Sequence, residues 1–195
     1  MTLFEQFVVV ASLLDEVMRR ACQAYDQVIV HPEWGNHGRL GSKRAAVPRS
    51  DNADRMTYRL AAEMGGDVPN LTWYECPDDV QRVEIGNYRA LLIHGDEVGR
   101  NGFASPTTLV RHADQWASGA YPWDFRDLYI GHYHTHNAWA MANGRGHVFQ
   151  TGSMESDNRY ARNSMGSTAV PSQRLHFVDA RDGLITAQYQ IYLDA

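Results

Sequence analysis

Three runs of apolar, β-forming residues, each followed at once by a polar segment containing glycine and histidine, constrain the fold of this chain most. The runs cover residues 28–30, 91–93 and 128–130. Short apolar runs bounded by turn-forming residues predict buried strands. Helical patterns alternate with these runs early in the sequence, and strand patterns dominate after residue 137. The sequence therefore predicts an α/β fold, a layered β-sandwich flanked by helices.

The first helix is predicted with the clearest signals. Thr2 and Glu5 form a capping box at its start. Its apolar residues recur at helical spacing, and we expect them to form its inner face: Phe7, Val10, Leu14, Val17 and Ala21. Two further helices are predicted from Asp51 or Asn52 to Met64 and from Ser105 to about Ala117, because each begins at a capping residue. Further strands are expected at 71–76, 80–85, 88–93, 138–142, 147–151, 174–178 and 184–193.

Composition excludes several classes of protein. Of the 195 residues 44% are apolar, enough to bury a core, and the net charge of -5 gives no overall basic field for nucleic acid. The longest apolar run, residues 7–14, is about half of the ~20 residues that a membrane helix needs. Cys22 and Cys76 form no CxxC pair, which favours a reducing compartment. We expect a cytoplasmic protein without a membrane partner.

The polar segments that follow the three strands contain residue types that bind metals. In an open α/β sheet such segments meet at one edge, which would bring five side chains together: Asn36, His37, His94, His132 and His134. His132 and His134 are two residues apart, so in an extended segment their rings would point the same way. Imidazole suits zinc, manganese or iron. Taken singly, each of these histidines is better explained as an ordinary surface residue, so the joint pattern carries the prediction.

The same segments resemble a known family. The motifs at 35–38 (Gly-Asn-His-Gly), 93–96 (Ile-His-Gly-Asp) and 131–134 (Gly-His-Tyr-His) are similar, in this order, to the last three signature blocks of the calcineurin-like metallophosphoesterases. That superfamily contains protein phosphatases, phosphodiesterases and DNA-repair exonucleases, and the resemblance is closest to the exonuclease branch. It implies the in-line hydrolysis of a phosphoester by a metal-activated hydroxide.

The resemblance also implies roles for single residues. Asn36, His94 and His132 look like ligands of one metal ion, and His134 looks like a ligand of a second. His37 would be the catalytic histidine that assists the leaving group. Further candidates for binding the substrate are Arg39, Asp96, His136, and the loop with Asn158 and Arg159. With Arg39, the residues Lys43, Arg44 and Arg49 form a local basic stretch that would track the phosphates of a nucleic acid. An ordinary solvated loop explains these charges equally well.

This sequence lacks the family's first two blocks, Asp-x-His and Gly-Asp. The aspartates that precede Asn36 are Asp15 and Asp26, and neither lies in such a motif. Two divalent ions about 4 Å apart repel by on the order of 17 kcal/mol at an effective dielectric constant of ~20. Without a bridging carboxylate we expect at most one ion in the isolated chain, bound weakly, with Mn²⁺ favoured over Zn²⁺ or Fe.

The missing blocks suggest that residues 1–195 form a single, truncated or split phosphoesterase domain. The absence of these blocks would leave strand edges and an apolar face uncovered. We expect self-association or a complementing amino-terminal fragment to cover that surface. The alternative function is a catalytically inactive phosphoesterase fold used for binding or assembly. A third reading is an unrelated hydrolase with one zinc ion.

Overall fold

The computed structural model describes residues 2–41, 48, 50–75, 79–99, 104–142, 144, 146–155 and 170–193. The chain divides into two compact units, Met1–Gln81 and Arg82–Ala195. That the whole chain is one domain stays a prediction.

The first unit combines two helices with a small parallel sheet. Its elements are α1 (Leu3–Ala24), β1 (Val28–Val30), α2 (Ala53–Met64) and β2 (Leu71–Trp73). Strand β1 pairs with β2 in parallel, and α1 packs against α2 and both strands. Both predicted helix starts are confirmed, because Thr2 and Glu5 form the capping box and the Asn52 side chain caps α2. Helix α2 ends at Met64, as predicted, and Gly65 is its C-cap.

The predicted inner face of α1 is only partly correct. Val10 and Val17 are 46% and 54% exposed, whereas Ala11 is completely buried. Helix α1 contacts α2, β1 and β2 along a narrow stripe centred on the small residue Ala11, so that its larger neighbours remain outside. The described part of α1 therefore carries exposed apolar side chains on more than one side.

The second unit is built on a five-stranded sheet. Its strands are β3 (Gln81–Ile85), β4 (Tyr88–Ile93), β5 (Asp127–Ile130), β6 (Asn137–Ala140) and β7 (His147–Gln150), in the order β3-β4-β5-β7-β6. Strands β4, β5 and β7 run parallel, and β6 is antiparallel to β7. Helix α3 (Pro106–Gln115) contacts β6 and β7, and β8 (Ser172–Asp179) pairs with β9 (Leu184–Tyr192) in a separate antiparallel hairpin.

The hairpin forms a second layer on the five-stranded sheet. The ring of His176 on β8 lies 5.6 Å from that of Tyr129 and 4.6 Å from that of Phe149. The Arg174 guanidinium lies 4.7 Å above the Phe149 ring. Side chains alternate along a strand, so Leu128 and Val148, both buried, point to the other face of the sheet. This layering confirms the predicted α/β class with a central sheet and flanking helices.

Helix α3 ends differently from the prediction. It stops at Gln115 and continues as a π-helical turn, Trp116–Ala120, rather than as an α-helix to Ala117. Gly119, at a φ of 108°, supplies the left-handed conformation that ends this turn. Among the residues described, no helix is both long enough and apolar enough to cross a bilayer.

Candidate functional site

The pairing of β4 with β5 positions two of the predicted metal ligands. Ile93 lies opposite Ile130, so His94 and Gly131 follow at the same level. The Gly131 N–H donates to the His94 carbonyl oxygen at 3.0 Å, which extends the parallel ladder by one step. Because both strands end at the same edge, His94 and His132 emerge side by side. The predicted strand-to-loop junctions at these positions are confirmed.

His94 and His132 make direct contact through their ring nitrogens. Nδ1 of His132 lies 3.2 Å from Nε2 of His94, and the ring centroids are 5.0 Å apart at an interplanar angle of 70°. Both residues are half-buried. Without a metal, one nitrogen donates a hydrogen bond to the other, and the protonation states decide which one does.

The backbone of the loop after β5 is strained. Tyr133 N–H donates to the Gly131 carbonyl oxygen at 2.7 Å, which closes a three-residue turn with His132 at its centre, at a φ of 62°. This is the arrangement of the classic γ-turn, which is rare and strained. His134 also has a positive φ, 58°. The extended segment that we predicted for His132 and His134 is therefore wrong, because the chain turns at both residues.

Two neighbouring elements hold this loop. The buried Gln150 side chain, at the end of β7, donates to the Thr135 carbonyl oxygen at 2.8 Å and also contacts the Thr135 hydroxyl. On the other side, the Tyr133 hydroxyl donates to the Gly95 carbonyl oxygen at 3.3 Å. These contacts tie the loop to β7 and to the loop after β4.

Acidic residues lie beside Tyr133. Asp96 is only 5% exposed, and the Glu97 carboxylate accepts a hydrogen bond of 2.7 Å from Gly95 N–H. Burial, reinforced by the charges of Glu97 and Asp96, raises the pKa of Tyr133 to about 12. Asp96 was predicted to bind substrate. The structure places it in the interior of the second unit, beside the candidate site.

His136 lies at the end of the same loop. Burial, and next the charge of Arg174, lower the pKa of His136. The imidazole is therefore neutral at physiological pH. The Arg174 guanidinium is held nearby by hydrogen bonds to the carbonyl oxygens of Asn137, at 2.7 Å, and Gln150, at 3.2 Å.

The Asn36 and His37 loop belongs to the first unit, where side chains from the start of α2 anchor it. The Gly35 N–H donates to Asp54 Oδ2 at 2.8 Å, and Asn52 Nδ2 donates to the Gly35 carbonyl oxygen at 2.8 Å. A Cβ atom at Gly38 would lie 2.1 Å from Asn52 Oδ1, so only glycine fits there. Within this loop His37 is exposed and Asn36 is half-buried.

The three predicted strand-to-loop junctions do not all belong to one sheet. The prediction of a common edge assumed that all three junctions belong to one open sheet, but β1 pairs with β2 in a sheet separate from that of β4 and β5. The structure brings His94 and His132 together. That Asn36, His37 and His134 join them around one ion stays a prediction, because the sheet register places only the β4 and β5 junctions.

Other candidates for substrate binding have different surroundings. Arg39 follows the anchored loop and forms a β-bridge with Asn52, so its backbone is fixed while its side chain is half-buried. Lys43, Arg44, Arg49, Asn158 and Arg159 lie outside the described residues.

The His94–His132 pair fits a shared metal ion as two of its ligands. Two metal–nitrogen bonds of about 2.05 Å at a tetrahedral angle separate the nitrogens by about 3.3 Å, and the observed separation is 3.2 Å. The residues described contain no group of three or more His, Cys, Asp or Glu side chains arranged to bind a metal. Within the described residues the ion would therefore have two imidazole ligands from this pair, with water at an open position.

Sequence reasoning missed the residues that hold the loops. Asn52 was predicted only as a helix cap, and neither Asp54 nor Gln150 was singled out, although all three fix the candidate loops. Gln150 offered one signal, a polar residue at the end of a predicted buried strand.

No family model matches this chain, and no curated protein matches it either. Several solved structures are similar in shape. Vps29 of Entamoeba histolytica, solved with Zn²⁺, has a TM-score of 0.44 at 15% identity, over 71% of this chain and 76% of that chain. An uncharacterized Streptococcus pneumoniae protein, described as a predicted phosphoesterase, has a TM-score of 0.44 at 13% identity, over 93% and 90% of the two chains.

A third similar structure is a Thermotoga maritima protein solved by NMR in solution. Its TM-score is 0.45 at 15% identity, over 92% of this chain and 87% of that chain.

Proposed function

We propose that this chain is a metal-dependent phosphoester hydrolase of the phosphodiesterase or nuclease type, related to the DNA-repair exonucleases. The observation that carries the proposal is the His94–His132 pair, with ring nitrogens 3.2 Å apart at the ends of neighbouring parallel strands. The strained turn at His132 supports it, because backbone strain is concentrated at functional sites. A cytoplasmic location is part of the proposal, in keeping with the half-buried free thiol of Cys22.

Each residue of the proposed site would have its own role. His94 and His132 would hold a divalent ion, with Mn²⁺ favoured, and Asn36 would complete its protein ligands. Such an ion supplies charge neutralisation at the phosphoryl oxygens and activates water. His37 would donate a proton to the leaving oxygen. Arg39 would bind the phosphate.

The first test measures hydrolysis of bis(4-nitrophenyl) phosphate with Mn²⁺, Zn²⁺ or Fe²⁺. We expect His132→Ala to lose about 100-fold or more of the activity, because removing a ligand costs at least as much as removing its supporting contacts. His147→Ala is the matched control, since His147 is an exposed histidine of the same unit that is not a proposed ligand. Equal, measurable activities of wild type and His132→Ala would contradict the proposal. The absence of activity in both would favour the alternative of an inactive binding protein.

A second test separates the role of His37 from metal binding. A nitrophenolate leaves without protonation, whereas the alkoxide of a DNA strand needs a proton. We therefore expect His37→Ala to lower cleavage of a labelled DNA oligonucleotide at least tenfold, with a smaller loss on the nitrophenyl diester. Equal losses on both substrates would rule out His37 as the proton donor, and faster hydrolysis of 4-nitrophenyl phosphate than of the diester would rule out the diesterase type.

A further inference from the structure

The first unit contains a cavity that is separate from the predicted metal ligands of the second unit. It has a volume of about 320 Å³ and lies between α2, β2 and the segment that follows β1. Ligand pockets typically have about 300–1,000 Å³, so this volume suits a small molecule. Six side chains give it its chemical character: Trp34, Tyr58, Trp73, Tyr74, Arg55 and Arg59.

Two residues that line this cavity carry a buried hydrogen-bond donor for which the described residues supply no partner. Trp34 is 2% exposed, and its indole Nε1, like that of Trp73, is buried without a hydrogen bond within the described part of the chain. A buried donor without a partner costs about 1–3 kcal/mol, so native proteins rarely contain one unless a water or ligand satisfies it. Two such donors among the lining residues of one cavity point to a ligand that carries hydrogen-bond acceptors.

The charged residues favour an anion. The Arg59 guanidinium is already paired with Glu63 and Glu75, at 2.9 Å each. Arg55 forms no ion pair among the residues described, and its guanidinium lies 5.7 Å from the Trp34 ring centroid. Glu75, which also lines the cavity, is therefore paired with Arg59, and among the described residues the charge of Arg55 has no paired carboxylate. An acidic group of a ligand would balance it.

The walls are aromatic and held in place. The Tyr58 hydroxyl donates to the Glu33 carbonyl oxygen at 3.1 Å. Tyr74 stacks on His31, with ring centroids 4.7 Å apart and planes within 9° of each other. Flat, fixed rings favour a flat ligand that stacks on them.

We propose that this cavity is a binding site for a planar aromatic ring that carries a phosphate or carboxylate group. The ring packs against the aromatic walls, and the acidic group accepts hydrogen bonds from Arg55 and the two indole N–H groups. The site does not depend on the proposed hydrolysis, because binding is measured without metal or turnover.

The test is isothermal titration of the full chain with four probes. Adenosine 5′-monophosphate carries a ring and a phosphate, indole-3-acetate a ring and a carboxylate, adenosine a ring alone, and inorganic phosphate a charge alone. We expect one or both ring-bearing anions to bind one per chain and at least tenfold more tightly than adenosine and phosphate. The tighter of the two identifies the preferred combination of ring and acidic group. If neither binds at millimolar concentration, or if adenosine binds as tightly, the proposal is overturned.

Three variants locate the site. Arg55→Gln should weaken the ring-bearing anion at least tenfold, and Trp73→Phe, which keeps a ring and removes the donor, should weaken it several-fold. Arg82→Gln is the matched control, because Arg82 also lies over aromatic rings, 5.7 Å from Tyr121, but in the second unit. Circular dichroism checks that each variant is folded. Equal affinities of Arg55→Gln and Arg82→Gln would overturn the assignment.

Discussion

The two loops that carry the predicted site histidines are held in opposite ways. In the first unit, side chains of Asn52 and Asp54 bind the backbone around Gly35, and His37 remains exposed with a negative φ. In the second unit, His132 and His134 both adopt positive φ values, and contacts from neighbouring strands hold the turn. The first loop is relaxed and anchored, and the second is strained and supported.

This difference separates structural from functional demands. A residue other than glycine in a sparsely populated backbone region costs about 1–3 kcal/mol and persists only where its surroundings fix it. The ladder between β4 and β5 and the Gln150 side chain provide that fixation for the second loop. Nothing comparable is needed at His37. The strained backbone of the second loop therefore costs stability, and it positions the imidazole rings of His132 and His134.

The largest expected effect comes from breaking the anchor of the first loop. In Gly38→Ala the new Cβ would lie 2.1 Å from Asn52 Oδ1 and 2.6 Å from Asp54 Cγ, so the hydrogen bonds of both residues must rearrange. We expect the free energy of unfolding to fall by about 3 kcal/mol or more, as measured by urea denaturation. Gly66→Ala is the control, because its nearest contact is 3.3 Å, and it should change the free energy by less than about 1 kcal/mol.

The stability of the second unit should depend on pH through the protonation of His176. Burial lowers the pKa of His176 to about 4, and the charges of Arg174, His136 and His147 act in the same direction. The unfolded chain, with an ordinary pKa near 6.5, binds more protons in this range. The free energy of unfolding should therefore fall as the pH falls from about 6.5 towards 4, by on the order of 2 kcal/mol once the full shift is discounted for the solvent exposure of the half-buried ring.

His176→Asn tests this origin. Asparagine keeps an acceptor near the position of Nδ1, which lies 2.6 Å from the Tyr129 hydroxyl, but it does not titrate. Denaturant midpoints measured between pH 4 and 7 should show a flatter dependence for the variant than for the wild type. Parallel curves would assign the acid sensitivity to other groups.

A comparison of glycine with alanine sharpens the contrast between the loops at His132 and His37. His132→Gly and His132→Ala both remove the imidazole, but only glycine relieves the positive φ, so the glycine variant should be the more stable by about 1 kcal/mol. At His37 the alanine variant should be the more stable of the two, by a few tenths to about 1 kcal/mol. Glycine there only increases the conformational freedom of the unfolded chain. Thermal denaturation of the four variants decides this. The same order at both positions would show that the loops do not differ in strain.

Local signals in the sequence predicted most elements of the fold. The capping box at Thr2, the cap at Asn52 and the Ser105-Pro106 start are formed by neighbouring residues, so each was visible in the sequence and each is confirmed. The conformation of the loop after β5 was not visible, because the strain at His132 is imposed by strand pairing and by Gln150, distant in sequence. The division into three sheets is likewise a property of long-range pairing.

The smallest effect on stability is expected at the exposed apolar surface of α1, where a large effect on association is expected instead. Leu13 is 56% exposed, and Val9 and Val17, four residues away on either side, are 45% and 54% exposed. Leu13→Glu should change the free energy of unfolding by no more than about 0.5 kcal/mol, yet abolish the predicted self-association if this exposed apolar patch is the surface that mediates it. Analytical ultracentrifugation measures it, with Gln23→Glu as a control that adds the same charge to the same helix and removes no apolar surface. A wild-type chain that sediments as a monomer at high micromolar concentration would show that the exposed side chains of α1 do not mediate contact between two copies of the chain.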